Sequence, residues 1–281
     1  MKKIFLYLMM FVALTACSSD DNSTEEQSAK QKTYEVNIHV AGVGDIDSTR
    51  AVSFSEGNSI SSYFRDGEEV YVYKQKQFMG VLYVRDINQY DGSCYLRGTL
   101  TGGFGSQDNF WLLYNSNGGE YHEYFDYNTQ NGLQNWVLDG AKAQTSIVRI
   151  DDYKNTLVFD HDVWFTLVQS MFSFKFVNQN NEPIVVKNLR IQLEGIRSQY
   201  DPKTRSFMGQ DYIEITPPEA TSDYIYVGIP TGPYGSKGSM TFTVTDNENK
   251  VYTATKNAPG DGFTNGKYYY STKGVKLTEQ N

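Results

Sequence analysis

Residues 34–40, Tyr34-Glu35-Val36-Asn37-Ile38-His39-Val40, alternate apolar and polar side chains without a break. Successive side chains of a β-strand point to opposite faces, so Tyr34, Val36, Ile38 and Val40 share one face and Glu35, Asn37 and His39 the other. An α-helix would spread the same residues around its circumference. The stretch therefore predicts a half-buried strand, with His39 outward in solvent and without a chemical role.

The pattern recurs along the chain. Asp66-Gly67 is a tight-turn signal ahead of Val70-Tyr71-Val72-Tyr73. Strand-like runs follow at 80–85, 94–100, 110–114 and 147–150. Met171-Phe172-Ser173-Phe174-Lys175-Phe176-Val177 sets Phe172, Phe174 and Phe176 opposite Met171, Lys175 and Val177. Runs at 188–193, 212–215, 224–229, 240–245, 251–255, 268–271 and 275–277 complete the series, and Asp246-Asn247-Glu248-Asn249 reads as a hairpin loop. Short strands divided by Gly, Asn, Asp and Pro predict an all-β fold made of β-sandwiches. One sandwich holds ~100 residues. A chain of 281 residues thus predicts two in tandem, an N-terminal one at 33–165 and a C-terminal one at 166–281.

Composition narrows the function. With 22 Tyr, 16 Phe and 24 Gly against 7 Pro, the chain favours strands and turns over helices. Its 25 Lys and Arg against 33 Asp and Glu leave a net charge of −8, without the basic face that nucleic acid requires. Three His and two Cys supply few ligands for zinc or haem and no disulfide framework. No cofactor, metal site or enzymatic activity is expected.

Local candidates for chemistry point the same way. Gly102-Gly103-Phe104-Gly105-Ser106 lacks the Lys-Ser or Lys-Thr ending and the following helix of a phosphate loop, and reads as a flexible loop. Asp160-His161-Asp162 offers three metal-type ligands, but consecutive strand residues diverge, so a solvated turn is expected. The adjacent acids Glu68-Glu69 and Asp151-Asp152 give no sign of carboxyls held about 5–9.5 Å apart across a cleft, as glycoside hydrolysis needs. Neither Gly-x-Ser-x-Gly nor His-Glu-x-x-His occurs. Cys94, in the strand-like run Ser93-Cys94-Tyr95-Leu96-Arg97 with no His nearby in sequence, is expected to be a buried structural thiol. The three Trp (111, 136 and 164) belong mostly to cores, whereas Tyr121, Tyr124, Phe125 and Tyr127 beside glycine-rich loops are candidates for an exposed sugar-stacking surface.

At the N-terminus, Lys2 and Lys3 precede an apolar run, residues 4–14, too short to span a bilayer as a helix. Charged start, short apolar middle and small residues at the end predict a secretory signal peptide over 1–16. Leu14-Thr15-Ala16-Cys17 resembles a bacterial lipobox, which implies that Cys17 is lipidated, by acyl chains such as palmitate, and becomes the new N-terminus. Each buried CH₂ adds about 0.8 kcal/mol, so two or three chains anchor stably in the outer membrane. Residues 17–32 are a polar, acidic tether expected to be disordered. Ser18-Ser19-Asp20-Asp21 also resembles the export signal of surface-exposed lipoproteins of some anaerobic gram-negative bacteria. Arg50, in a Gly- and Asp-rich loop after the first strand, is a natural trypsin-like cleavage point, and a cut there would free strand 34–40.

Together with the lipobox, Thr49-Arg50-Ala51-Val52-Ser53-Phe54, residues 64–73 and the closing residues 263–270 with 275–277 resemble the fimbrillin family, lipoprotein precursors of type V pilus subunits. The resemblance covers the chain in outline with degenerate motifs. It implies two transthyretin-like (Ig-like) sandwiches, removal of the first strand by an Arg-specific protease, and a neighbouring subunit's strand in the vacated groove. Arg50-Ala51 matches the cleaved bond. The implied partners are other pilus subunits, the outer membrane through the lipid anchor, the protease, and a host protein or glycan; the implied location is the cell surface and then the fimbrium. Because only Thr278-Glu279-Gln280-Asn281 follow the last strand-like run, a tip or minor adhesin-like position is expected over a shaft position. The alternative is a surface lipoprotein that binds glycans through exposed aromatics.

Overall fold

The computed structural model describes residues 31–43, 53–54, 60–61, 64–115, 124–134, 140–201, 203–204, 206–230, 238–257 and 263–280. Residues 31–281 form one compact unit. Its first strands are β1 (Lys32–Val43), β2 (Ser53–Phe54), β3 (Ile60–Ser61), β4 (Glu69–Lys74), β5 (Gln77–Arg85) and β6 (Cys94–Gly102). There follow β7 (Asn109–Asn115), β8 (Phe125–Asp126), β9 (Gly140–Asp151), β10 (Thr156–Phe159) and β11 (Val163–Leu167). The later strands are β12 (Ser170–Phe174), β13 (Phe176–Val177), β14 (Val186–Leu193), β15 (Gln199–Asp201), β16 (Ser206–Met208) and β17 (Ile213–Ile215). The series closes with β18 (Ile225–Ile229), β19 (Ser239–Asp246), β20 (Val251–Asn257), β21 (Tyr268–Tyr270), β22 (Val275–Lys276) and β23 (Thr278–Glu279). Apart from one 3₁₀ turn, Tyr127–Thr129, the regular structure described is all β.

Eight strands form one sheet in the order β10-β1-β11-β9-β7-β4-β5-β6, and β1 also pairs with β6. The sheet thus closes on itself through its first strand. Around it lies a core in which Tyr34, Val36, Ile38 and Val40 pack with residues such as Leu82, Leu96, Leu100, Phe110 and Leu112. Gly67 makes the turn before β4 possible: its φ of 87° is left-handed, and the Glu68 N–H closes the turn on the Arg65 carbonyl at 3.1 Å.

A second cluster holds Phe172, Phe174, Phe176, Ile191, Leu193, Phe242 and Val244. It lies among the five-stranded sheet β17-β14-β19-β20-β23 and the smaller sheets β18-β12-β21 and β13-β22. The phenylalanine face of 172–176 is as the alternation predicts, but β12 is buried on both sides. Met171 joins the first cluster, and the Ser173 hydroxyl lies 2.7 Å from the Tyr268 hydroxyl. Asp246 closes the expected β19–β20 hairpin, its Oδ1 accepting from the N–H groups of Glu248 and Lys250, both at 2.8 Å.

Phe125 and Tyr127, expected at the surface, are buried in the second cluster. β8 pairs with β15, setting Phe125 opposite Tyr200, and Asp126 caps the 3₁₀ turn by accepting from the Asn128 N–H at 3.1 Å. The neighbouring Gln130 is buried as well. Its amide accepts from the Gly228 N–H at 2.6 Å and donates to the Gly228 carbonyl at 3.0 Å, so a side chain continues the edge of β18. Residues 125–130 therefore serve the second core although they precede residue 166, and the division at 165/166 falls inside β11.

Candidate functional site: the seat of the first strand

β1 is held along both edges. On one, residues 32–40 run antiparallel to β6, from Lys32 opposite Gly102 to Val40 opposite Cys94. On the other, Glu35 and Val36 lie parallel to Thr156 and Leu157 of β10, and residues from Val40 to Val43 lie parallel to β11. Val36 has Gly98 on one side and Leu157 on the other, and Val40 has Cys94 and Val163, so β10 and β11 succeed each other along a single edge. The Glu35 N–H also donates to the Asn155 carbonyl at 2.7 Å.

Side chains divide as the alternation predicts: Tyr34, Val36, Ile38 and Val40 are buried and Glu35 and Asn37 exposed. Tyr34 meets Phe104 edge to face, with ring centroids 5.6 Å apart. Phe104 belongs to the glycine-rich 102–106 loop, which is not loose at this point. The Gly105 N–H donates to Asp108 Oδ2 at 2.8 Å, and Lys74 Nζ lies 2.6 Å from the same oxygen. Burial alone would raise the Asp108 carboxyl, but the Gly105 hydrogen bond and Lys74 together hold it below its ordinary range.

β1 is clasped near both ends, by Lys32 from the side of Tyr34 and by His39 from the outer face. Lys32 Nζ sits 2.6 Å from Asp152 Oδ1 and 5.0 Å from the centre of the Tyr34 ring. The hydrogen bond to Asp152 holds the Lys32 ammonium above its ordinary range. Toward the other end, His39 Nδ1 lies 2.7 Å from Asp162 Oδ1. His39 is outward, as expected, but half-buried against Tyr95 and tied to Asp162 rather than simply solvated. In Asp160-His161-Asp162 the two acids serve different histidines, since Asp160 Oδ1 is 2.9 Å from His161 Nε2. Among the described residues no three His, Cys, Asp or Glu side chains gather as a metal set.

Beyond Val40 the ladder is irregular. Val40 pairs with Val163 and Gly42 with Trp164, so β1 spends two residues where β11 spends one. This bulge at Ala41 turns Gly42 onto the outer face, beneath the Trp164 indole. A Cβ at position 42 would stand 2.8 Å from the indole Cζ3. Trp164 itself is 50% exposed.

Cys94 is buried on β6, as expected of a structural thiol in a strand-like run. Cys17, Arg50 and Ala51 lie outside the described residues, as do Tyr121 and Trp136; the Arg50-Ala51 bond falls in the connection between β1 and β2. The irregular end of β1 and the pairing of Gly42 with Trp164 were not foreseen. The signal was an isolated Gly inside a strand pattern, which often marks a bulge or a close approach.

No family model and no curated protein matches the chain. Among solved structures it is similar to a candidate cell adhesion protein of Bacteroides uniformis, at 13% identity and a TM-score of 0.43, over 92% of this chain and 98% of that one. It is also similar to a candidate adhesin of Bacteroides ovatus, at 10% identity and a TM-score of 0.42, over 96% and 99% of the two chains. A fimbrial protein of Bacteroides ovatus aligns at 12% identity and a TM-score of 0.30, over 88% of this chain and 50% of that one. At these scores and identities the likeness carries no functional argument.

Proposed function

We propose that the chain is a cell-surface fimbrial subunit in which β1 is a temporary strand, replaced after proteolysis by a strand from another subunit. The observation that carries this reading is the seat of β1: both edges paired, four inward side chains in the core, and an exit into the β1–β2 connection that contains Arg50-Ala51. Losing the strand would bare the N–H and C=O groups of β6, β10 and β11 together with an apolar groove. Each unmade buried hydrogen bond costs about 1–3 kcal/mol, and each large apolar side chain re-covered returns about 1.5–3 kcal/mol, so an empty seat favours capture of a strand.

In this reading the precursor is exported by residues 1–16, anchored through Cys17 on a tether that ends where β1 begins at Lys32, and cut between Arg50 and Ala51 by an Arg-specific protease. The closing segment supports an accepting role. β22 lies parallel to β13 and β23 antiparallel to β20, so residues 275–279 are engaged within their own fold. A subunit that accepts a strand without donating this segment fits a tip or minor adhesin-like position. The protein would then act without enzymatic chemistry, through subunit contacts and a host-facing surface.

Cell fractionation and polymer ladders test the scheme. Wild-type protein is expected in the outer-membrane and fimbrial fractions, Cys17→Ala outside the membrane fraction, and Arg50→Ala in the membrane but absent from the ladder. Arg50→Ala entering the ladder at the wild-type level would refute strand release at this bond. Cys17→Ala remaining membrane-bound at the wild-type level would refute the anchor.

A further inference from the structure

Gly42 and Trp164 point to a selectivity that strand exchange alone does not require. The inward positions of β1 demand alternating apolar residues, which many strands supply. Position 42 demands something rarer. The bulge at Ala41 sets it on the outer face, and the indole lying over it leaves less room than a Cβ needs. Glycine thus lets the Trp164 ring lie against the backbone of β1, an arrangement known to strengthen glycine positions in sheets. The contact closes the end of β1 nearest the β1–β2 connection, where the parallel ladder is irregular.

Resting on the strand-exchange reading, we propose that Trp164 gauges the incoming strand and that the seat of β1 accepts an extended segment of another polypeptide with a defined signature. This segment runs antiparallel to β6. It carries an aromatic or β-branched residue at each of the four positions now held by Tyr34, Val36, Ile38 and Val40, and a glycine two residues after the last of them. A strand with a side chain there displaces the indole into water and loses both the cover over its backbone and the packing at its end. β1 serves as the template, because it fills every one of these positions itself.

Two measurements test the gauge. In the uncut chain, Gly42→Val is expected to lower Tm, and adding Trp164→Ala is expected to remove most of that loss; a neutral Gly42→Val, or a loss that Trp164→Ala leaves intact, overturns the proposal. In the second, the chain cut at Arg50 is incubated with excess labelled peptide copying residues 31–43, or with the same peptide carrying Gly42→Val, and incorporation is followed by size exclusion. The glycine peptide is expected to enter at least tenfold faster than the valine peptide, and the two to enter alike when the receiving chain carries Trp164→Ala. Equal entry of both peptides into the wild-type chain refutes the gauge and leaves strand exchange standing. Entry of neither peptide refutes strand exchange, and the gauge with it.

Discussion

Cys94 of β6 stands directly opposite Val40 of β1, and both side chains are sealed in the first core. The thiol is only 1% exposed, so its accessibility reports whether β1 is in place. In a Cys17→Ala chain, where Cys94 is the remaining thiol, a maleimide is expected to react slowly. After cleavage at Arg50 and displacement of β1 the rate is expected to rise at least tenfold, and to fall again when a peptide copying residues 31–43 is added. A rate indifferent to the peptide would show that the groove does not reopen and refill as a unit.

Ile38 is 2% exposed and faces the core from the middle of β1. Ile38→Ala is expected to destabilise the uncut chain by about 2–5 kcal/mol in chemical denaturation, because it removes buried methyl and methylene groups from a closed core. Asn37→Ala, on the outward face, is expected to cost less than about 1 kcal/mol. Comparable losses from the two would contradict the assigned faces.

Tyr71, on β4, provides a titration at alkaline pH. Burial, then the hydrogen bond its hydroxyl donates to Glu69 Oε2 at 3.1 Å, push its pKa from 10.0 to about 12. The folded state therefore holds the phenolic proton more tightly than the unfolded chain does. The resulting stability is complete below pH 10 and is lost as pH rises toward 12. Tyr71→Phe is expected to show a shallower fall in stability across that window, and the wild-type chain should ionise one more late-titrating tyrosine at 295 nm than the variant does.

How much of this was legible in the sequence depends on whether the cause was local. Alternation at 34–40 identified the inward face of β1 because the period of a strand is written in its own residues. Asp246 announced its hairpin for the same reason, since its carboxylate binds N–H groups two and four residues on. Partners are another matter. Nothing near Val40 says that it will lie between Cys94 and Val163, and parallel pairings such as β1 with β11 join segments far apart in sequence. The burial of Phe125 and Tyr127 was hidden likewise, because β15, which pairs with β8, lies far along the chain. His39 was correctly outward, yet its tie to Asp162 depends on the placing of the β10–β11 turn. β11 did carry a local signal, Val163, Phe165 and Leu167 inward with Trp164 and Thr166 outward, and a division drawn at 165/166 passed through the middle of it.

The central claim is that β1 is exchanged, and intact-mass analysis of the protein recovered from assembled fimbriae tests it most directly. The account predicts a chain that begins at Ala51, lacks residues 31–43, and carries in their place a non-covalently bound strand of another subunit that dissociates on denaturation. Recovery of fimbriae whose subunits still contain β1 continuous with Ala51 would contradict it.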